Sequence, residues 1–312
     1  MNDTNPKPRA VPRIVVVGSI NMDLVSGVSR LPRPGETVTG SDFREIPGGK
    51  GANQAVAAAR LGASTVMLGC VGDDAIGRRL HRSLKENHVE IGTVRTAVGT
   101  SSGVALITID ACGENTITVI PGANGQLGPA DVVAAEASLK VADAILVQLE
   151  IPLETVAIAI AVARQHNVRV ILDPAPAGDN VSGDLLQVDI LCPNAAEAQQ
   201  LTGVTINSLA DASEAVARLA ERGVGMPVIT LGAQGAVFVS DGRVHHVDSF
   251  PVDVVDTTGA GDAFAAALAV ALIEGRSHHA AIRFACAAGA IATSRMGAQP
   301  AMPSRQEVDS LN

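Results

Sequence analysis

From Arg13 onward, short runs rich in Val and Ile alternate with longer stretches rich in Ala and Leu, and that alternation leaves few folds open. The short runs predict strands over residues 14–18, 65–70, 144–149, 169–172, 190–192 and 227–231. The stretches predict helices over 52–61, 77–86, 129–141, 153–166, 195–202, 208–221, 262–274 and 278–294. Several of the strands are apolar throughout, as expected of strands covered by helices on both faces. Repeated strand and helix units of this kind imply an α/β domain with a doubly wound, mainly parallel sheet and helices on both faces.

Two segments break the rhythm. Residues 36–46 and 103–120 read as strands with partial alternation, the second containing the turn Ala111-Cys112-Gly113-Glu114. They suggest a small β-sheet appendage whose half-exposed strands need a cover, either a substrate cleft or another subunit. The expected division is a disordered leader over 1–13 and one α/β domain over 14–312, with lid segments at about 20–50 and 98–125. The leader is polar and rich in Pro and lacks the apolar stretch of a secretory signal. The run 263–273 is much shorter than the roughly 20 residues that span a bilayer, so a soluble cytoplasmic protein is expected.

Composition removes other classes. The chain is 47% hydrophobic but 2% aromatic, with five Phe and neither Tyr nor Trp, so Ala, Val, Leu and Ile must fill the core. Five scattered rings cannot form a base-stacking platform, and a formal charge of −9 lacks the basic footprint of a nucleic-acid protein. Cys70, Cys112, Cys192 and Cys286 form no CxxC pair, so buried reduced thiols are expected. The adjacent pairs His245-His246 and His278-His279 point in different directions on a strand or helix and cannot chelate one ion well.

In open α/β sheets ligands bind beyond the carboxyl ends of the strands. Polar or glycine residues recur there: Asn21 and Asp23, Glu150, Asp173, Asn194 and Gly232. Their recurrence at one edge points to a cleft. The segment Asp256-Thr257-Thr258-Gly259-Ala260-Gly261-Asp262 opens a helical run, where glycines admit a ligand to the backbone and free N–H groups attract an anion. A plain helix N-cap explains an Asp in that setting equally well. A second cluster, Gly48-Gly49-Lys50-Gly51-Ala52-Asn53-Gln54, combines N–H groups, an ammonium and two carboxamides that suit a polyhydroxylated ligand, or else forms a glycine-rich helix entry. Neither cluster fits a Walker loop, since Gly51 follows Lys50 and Arg44 stands at the first glycine position. Nor does Gly259-Ala260-Gly261 complete a Rossmann fingerprint, lacking its third glycine.

Taken together and in order, GSINMDL, PGGKGANQAVAAARLGA, VGDDAIG, QLEIP, CPNAAEA, TLGAQG, DTTGAGDAFAAAL and RMGAQPAMP closely resemble the ribokinase/PfkB carbohydrate kinase family, and its ribokinase branch in particular, over about 14–308. The resemblance implies an α/β/α domain with a β lid, a homodimer clasped through the lids, and transfer of a phosphoryl group from ATP to O5 of D-ribose. It implies Asp262 as general base and Gly259, Ala260 and Gly261 as the anion hole. Asn21, Asp23, Gly49, Lys50, Asn53 and Glu150 match its ribose-contacting positions. Asn194 and Glu197 match its NxxE motif, which organises the Mg²⁺ and phosphate shell. Thr230, Leu231, Gly232, Ala233, Gln234 and Gly235 fall in its nucleotide loop, and Cys286 lies near its adenine. A K⁺ site of mainly backbone oxygens is implied at Asp256, Thr258, Ala292, Arg295, Gly297 and Ala301, the last often Ser in the family.

The rivals are the same fold acting on deoxyribose, fructose, a keto-sugar acid or a nucleoside, and a non-catalytic sugar-binding regulator. A nucleoside usually needs an aromatic wall, and Phe43 is the lone ring in the first 237 residues. A regulator would be expected to have lost the base or the glycines.

Overall fold

The computed structural model describes residues 11–178 and 183–312, so the first ten residues of the expected leader lie outside the described part. The chain enters through β1 (Arg13–Val17), then leaves the main sheet in β2 (Asn21–Val28) and β3 (Gly40–Gly48). It returns with α1 (Lys50–Arg60), β4 (Ser64–Gly72), α2 (Ala75–Glu86) and β5 (Val94–Ala97), and leaves again in β6 (Gly103–Ile109) and β7 (Asn115–Ile120). Next come α3 (Pro129–Ala134), α4 (Glu136–Leu139), β8 (Ala144–Val147), α5 (Leu153–Gln165), β9 (Arg169–Leu172), α6 (Gly183–Leu186) and β10 (Ile190–Leu191). The chain finishes with α7 (Ala195–Thr202), α8 (Leu209–Glu221), β11 (Met226–Thr230), β12 (Ala236–Ser240), β13 (Arg243–Val247), α9 (Ala260–Ile273), α10 (His278–Thr293) and α11 (Arg305–Leu311).

Among the described residues, nine strands form one sheet in the order β13-β12-β11-β10-β9-β8-β1-β4-β5, parallel except for the β12 and β13 hairpin at one edge. The order reverses beside β1, which pairs β8 on one side and β4 on the other. Side chains divide by parity. Ile14 and Val16 join a core shared with α1, α9 and α10, while Val15 and Val17 join one shared with α5 and α8. Helix α9 is buried from Asp262 to Ala271, and its alanines let α10 and α1 approach closely. A helix apolar all round belongs inside, which is where it lies.

The small sheet has the order β3-β2-β6-β7. Here the structure corrects the reading of the sequence. Strand β2 was not expected, because Asn21 and Asp23 interrupt its apolar pattern. Both sit within β2, not in a loop beyond β1. Strand β3 starts at Gly40, not at residue 36. The expected helix over 129–141 breaks at Ala135, whose backbone opens to φ −91° and ψ 3°. Periodicity cannot reveal that break, since Val132, Ala135 and Leu139 stay buried across it. Of the four thiols, Cys112 is exposed at the β6–β7 turn while the others are buried. No helix among the described residues is long and apolar enough to cross a membrane.

Candidate active site

Helix α9 starts behind Gly259, whose φ of 78° is left-handed and favours glycine. A Cβ there would also lie 2.8 Å from Met302 Cε. At Gly261 an added Cβ would meet nothing within 4 Å, so the backbone faces open space. The helix therefore presents its first turn to a cavity. Asp262 stands in that turn but makes no capping bond, which removes the plain N-cap reading. Its carboxylate instead accepts from Asn53 Nδ2 at 2.8 Å and Gln54 Nε2 at 3.2 Å, both on α1. Burial pushes its pKa up to about 6, opposed by Lys50, Asn53 and Gln54.

The second glycine cluster brings α1 to this point. Gly49 has φ 87°, and a Cβ on it would strike the Asn21 backbone nitrogen at 2.6 Å. Helix α1 then begins at Lys50, two residues earlier than its sequence suggests. Burial pulls the Lys50 pKa down, yet the fields of Asp173, Asp262, Glu150 and Glu197 outweigh it and the net shift is upward. Lys50 is thus a retained cation among carboxylates rather than a solvated side chain. Glu150 accepts from Ser19 Oγ at 2.5 Å and from the Lys50 backbone at 3.3 Å.

Strand β2 of the small sheet comes up beside this point, close enough for Asp23 to feel the charge of Asp262, although neither Asn21 nor Asp23 lines the cavities at the start of α9. Asn21 Oδ1 accepts from Asn124 Nδ2 at 2.7 Å, and Asn124 Oδ1 takes the Ile20 N–H at 2.9 Å. Asp23 is buried, and among the described residues no donor bonds its carboxylate. Burial first, then the charges of Glu150, Asp262 and Asp256, raise its pKa to about 7.

A cavity of about 510 Å³ opens in front of Asp262, lined by Lys50, Asp173, Asn194, Glu197, Thr257 and Gly261 among others. A second, of about 480 Å³, continues from it through the shared residues Thr230, Gly232, Thr257, Gly261 and Phe264. Its far end is apolar, with Phe250, Val252, Val254, Cys286 and Ala290. Burial pushes the Cys286 thiol up to about 12. Phe264 lines the cavity that holds Asp262, whereas Phe43, the lone ring of the first 237 residues, is 62% exposed on β3. Asn194 and Glu197 also have a purely structural task. They form the capping box of α7, each side chain accepting from the other's backbone N–H at 2.9 and 2.8 Å. Leu231 and Gly235 flank a short 3-10 turn over Gly232–Gln234, whose Gln234 carbonyl is bonded by His246 Nε2 at 2.6 Å.

Beside α9, the Asp256 carboxylate gathers a third cluster. It accepts from Thr258 N at 2.9 Å, Thr258 Oγ1 at 2.7 Å and Gly297 N at 2.8 Å. These bonds, and the field of Arg44, outweigh burial and hold its pKa low. The carboxylate is thus spent on tying 256–258 to the 295–297 loop. Among the described residues the backbone oxygens of Asp256, Thr258, Arg295 and Gly297 accept no hydrogen bond. Ala292 and Ala301 are buried and offer no side-chain oxygen.

The model of the pfkB family carbohydrate kinases matches residues 11–305. The chain belongs to that family. Its relatives include a ribokinase of Bacillus subtilis, 43% identical with 96% of this chain and 98% of that protein covered. A deoxyribokinase of Salmonella typhi is 36% identical, with 94% and 96% covered. The solved structure of Arabidopsis thaliana ribokinase complexed with ribose and ATP superposes with a TM-score of 0.89 at 35% identity, over 96% of this chain and 98% of that one.

In this pfkB carbohydrate kinase, elements far apart in sequence bring most of the expected residues to one cleft. Ser19 and Asn124 escaped the sequence reading, and Gln54 entered it only as a carboxamide of the second glycine cluster, not as a partner of Asp262. All three are buried polar side chains; proximity in the chain to Asn21 was the available signal for Ser19, and none existed for Asn124.

Proposed function

We propose that the protein is an ATP-dependent ribokinase that moves the terminal phosphoryl group of ATP to O5 of D-ribose. The observation that carries the reading is Asp262, buried in the glycine-flanked first turn of α9, at the polar end of a two-part cavity. The apolar part suits a purine and the polar part a triphosphate. Asn21, Asp23, Gly49, Lys50, Asn53 and Glu150 bind the sugar, with Asp23 and Glu150 accepting from its hydroxyls. Asn53 and Gln54 fix the Asp262 carboxylate, which takes the proton from the attacking hydroxyl late in a loose transition state. The N–H groups of Gly259, Ala260 and Gly261 stabilise the charge that develops on the phosphoryl oxygens. Thr230 to Gly235 and Cys286 hold the nucleotide.

The cations fit the residues present. The free backbone oxygens of Asp256, Thr258, Arg295 and Gly297, with Ala292 and Ala301, would hold a large, weakly hydrated K⁺. Glu197 and Asn194 would serve Mg²⁺ through water. When bound, these ions neutralise phosphate charge. The lid carries a further part of the reading. On one face of the small sheet Ile107 pairs with Ile117 and Ala105 with Val119, and Ile117 and Val119 are exposed, so two copies joined through their lids would cover them. An ATP-using kinase of this kind works in the cytoplasm.

An ADP-release assay over pentoses, hexoses and nucleosides, with and without K⁺, tests the function. Ribose should be preferred and K⁺ should activate. The deoxyribokinase relative supports a second reading, and a preference for 2-deoxyribose in the same panel selects it. Turnover on none of the sugars would leave a binding protein.

A further inference from the structure

One buried carboxylate of the cavity has no part in the transfer as described. Asp173, just past β9, is 6% exposed and lines the same cavity as Asp262 and Lys50. The two aspartates are bridged. Gln54 Nε2 donates to Asp173 Oδ2 at 2.9 Å and to Asp262 Oδ1 at 3.2 Å. The bridging amide is itself oriented, because Gln54 Oε1 takes a hydrogen bond from Gln148 Nε2 at 2.5 Å. The donors are shared unequally: Asp262 has a second carboxamide, Asn53, and Asp173 has none.

The groups around Asp173 are Lys50 and Gln54 on α1, Gln148 and Glu150 beyond β8, Cys192 beyond β10, Glu197 on α7 and Asp262 on α9. Lys50 is the cation among them, and it faces four carboxylates. Two buried like charges bridged through one amide cannot both be carried cheaply, and the one with fewer donors keeps its proton.

We propose that Asp173 and Asp262 act as a pair bridged by Gln54, in which Asp173 holds the proton while Asp262 stays ionised to serve as base. Asp173 is then a positioning residue. Its neutral carboxyl lets Lys50 balance Asp262 and leaves the cavity open to the triphosphate. Its ionisation adds a negative charge where ATP must enter. Burial, against the pull of Lys50, places its titration at about 8. The Lys50 ammonium and the Cys192 thiol both titrate well above that, so neither changes charge between pH 7 and 9.

The inference rests on Asp262 being the base, and the tests separate the two. In the parent enzyme KM for ATP should rise above pH 8 by about tenfold per pH unit, the slope of one required proton. In Asp173→Asn, a neutral side chain of the same shape, turnover at pH 7 should persist and the alkaline rise should vanish. A role in folding alone would lower activity at every pH and leave the profile unchanged. An alkaline rise that survives in Asp173→Asn overturns the proposal. Should that variant not fold, carbon-13 titration of labelled aspartate carboxyls in an Asp23→Asn background gives the answer directly. One carboxyl should titrate near pH 8, and none between 7 and 9 would overturn the pair. Near-normal turnover in Asp262→Asn would instead remove the base and leave that titration untouched.

Discussion

Ile14 to Val17 of β1 are at most 2% exposed on both faces, while all six residues of β7 in the small sheet are exposed. The contrast extends to the carboxylates the two sheets bring to the cleft. Asp262 lies over the main sheet on a helix packed on all sides and is bonded by two carboxamides. Asp23 comes from β2 of the small sheet, with no donor among the described residues. The first is preorganised by the protein, as a group acting on the reacting atoms must be. The second leaves its hydrogen bonds to be completed by whatever enters, which is how a binding wall acts. One sheet supplies a fixed geometry, and the other supplies a surface that is incomplete alone.

Substitutions can break this contrast, and the largest effect belongs to the preorganised side. Asp262→Asn should keep both carboxamide contacts within reach yet lower kcat by roughly 10²–10⁴-fold, the range of a positioned base. Steady-state rates near the parent's would end that assignment. Next in size is Asp23→Asn, which should raise KM for ribose roughly tenfold or more, the worth of a hydrogen bond to a charged group, with a much smaller change in kcat. The parent carries a related signature. Burial and its carboxylate neighbours raise the Asp23 pKa to about 7, so its carboxylate form is lost as pH falls through 7 and ribose KM should climb there. A KM flat from pH 8 to 5.5 contradicts the role. The smallest effect on folding belongs to Ile117→Ser on the exposed lid face. Chemical denaturation should shift by no more than about 0.5 kcal/mol, as for surface positions, while light scattering should report the loss of a dimer. A parent that is already monomeric at micromolar concentration would show that the lid face is covered by something else.

The contrast also explains what could be seen in advance. Strands buried on both faces announce themselves as unbroken Val and Ile runs, so β8, β9 and β11 were legible to within a few residues. In β2 the same reading fails, because the buried polar residues Asn21 and Asp23 interrupt the apolar alternation that a period-of-two search relies on. The glycine clusters were legible as helix entries. Whether Asp262 was a cap or a free carboxylate was not, since both fit the same seven residues.

By itself the sequence determined the layered α/β architecture, the aliphatic core and the two glycine-led helix entries, because burial on both faces and freedom at φ above zero leave a local chemical record. Only the tertiary structure decided that Asp262 bonds Asn53 and Gln54 instead of capping α9, that Lys50 remains charged among four carboxylates, and that Gln54 joins Asp262 to Asp173. Those outcomes depend on side chains up to 209 positions apart arriving within hydrogen-bond distance in a medium that excludes water. Neither the distance nor the dielectric is written in any local pattern.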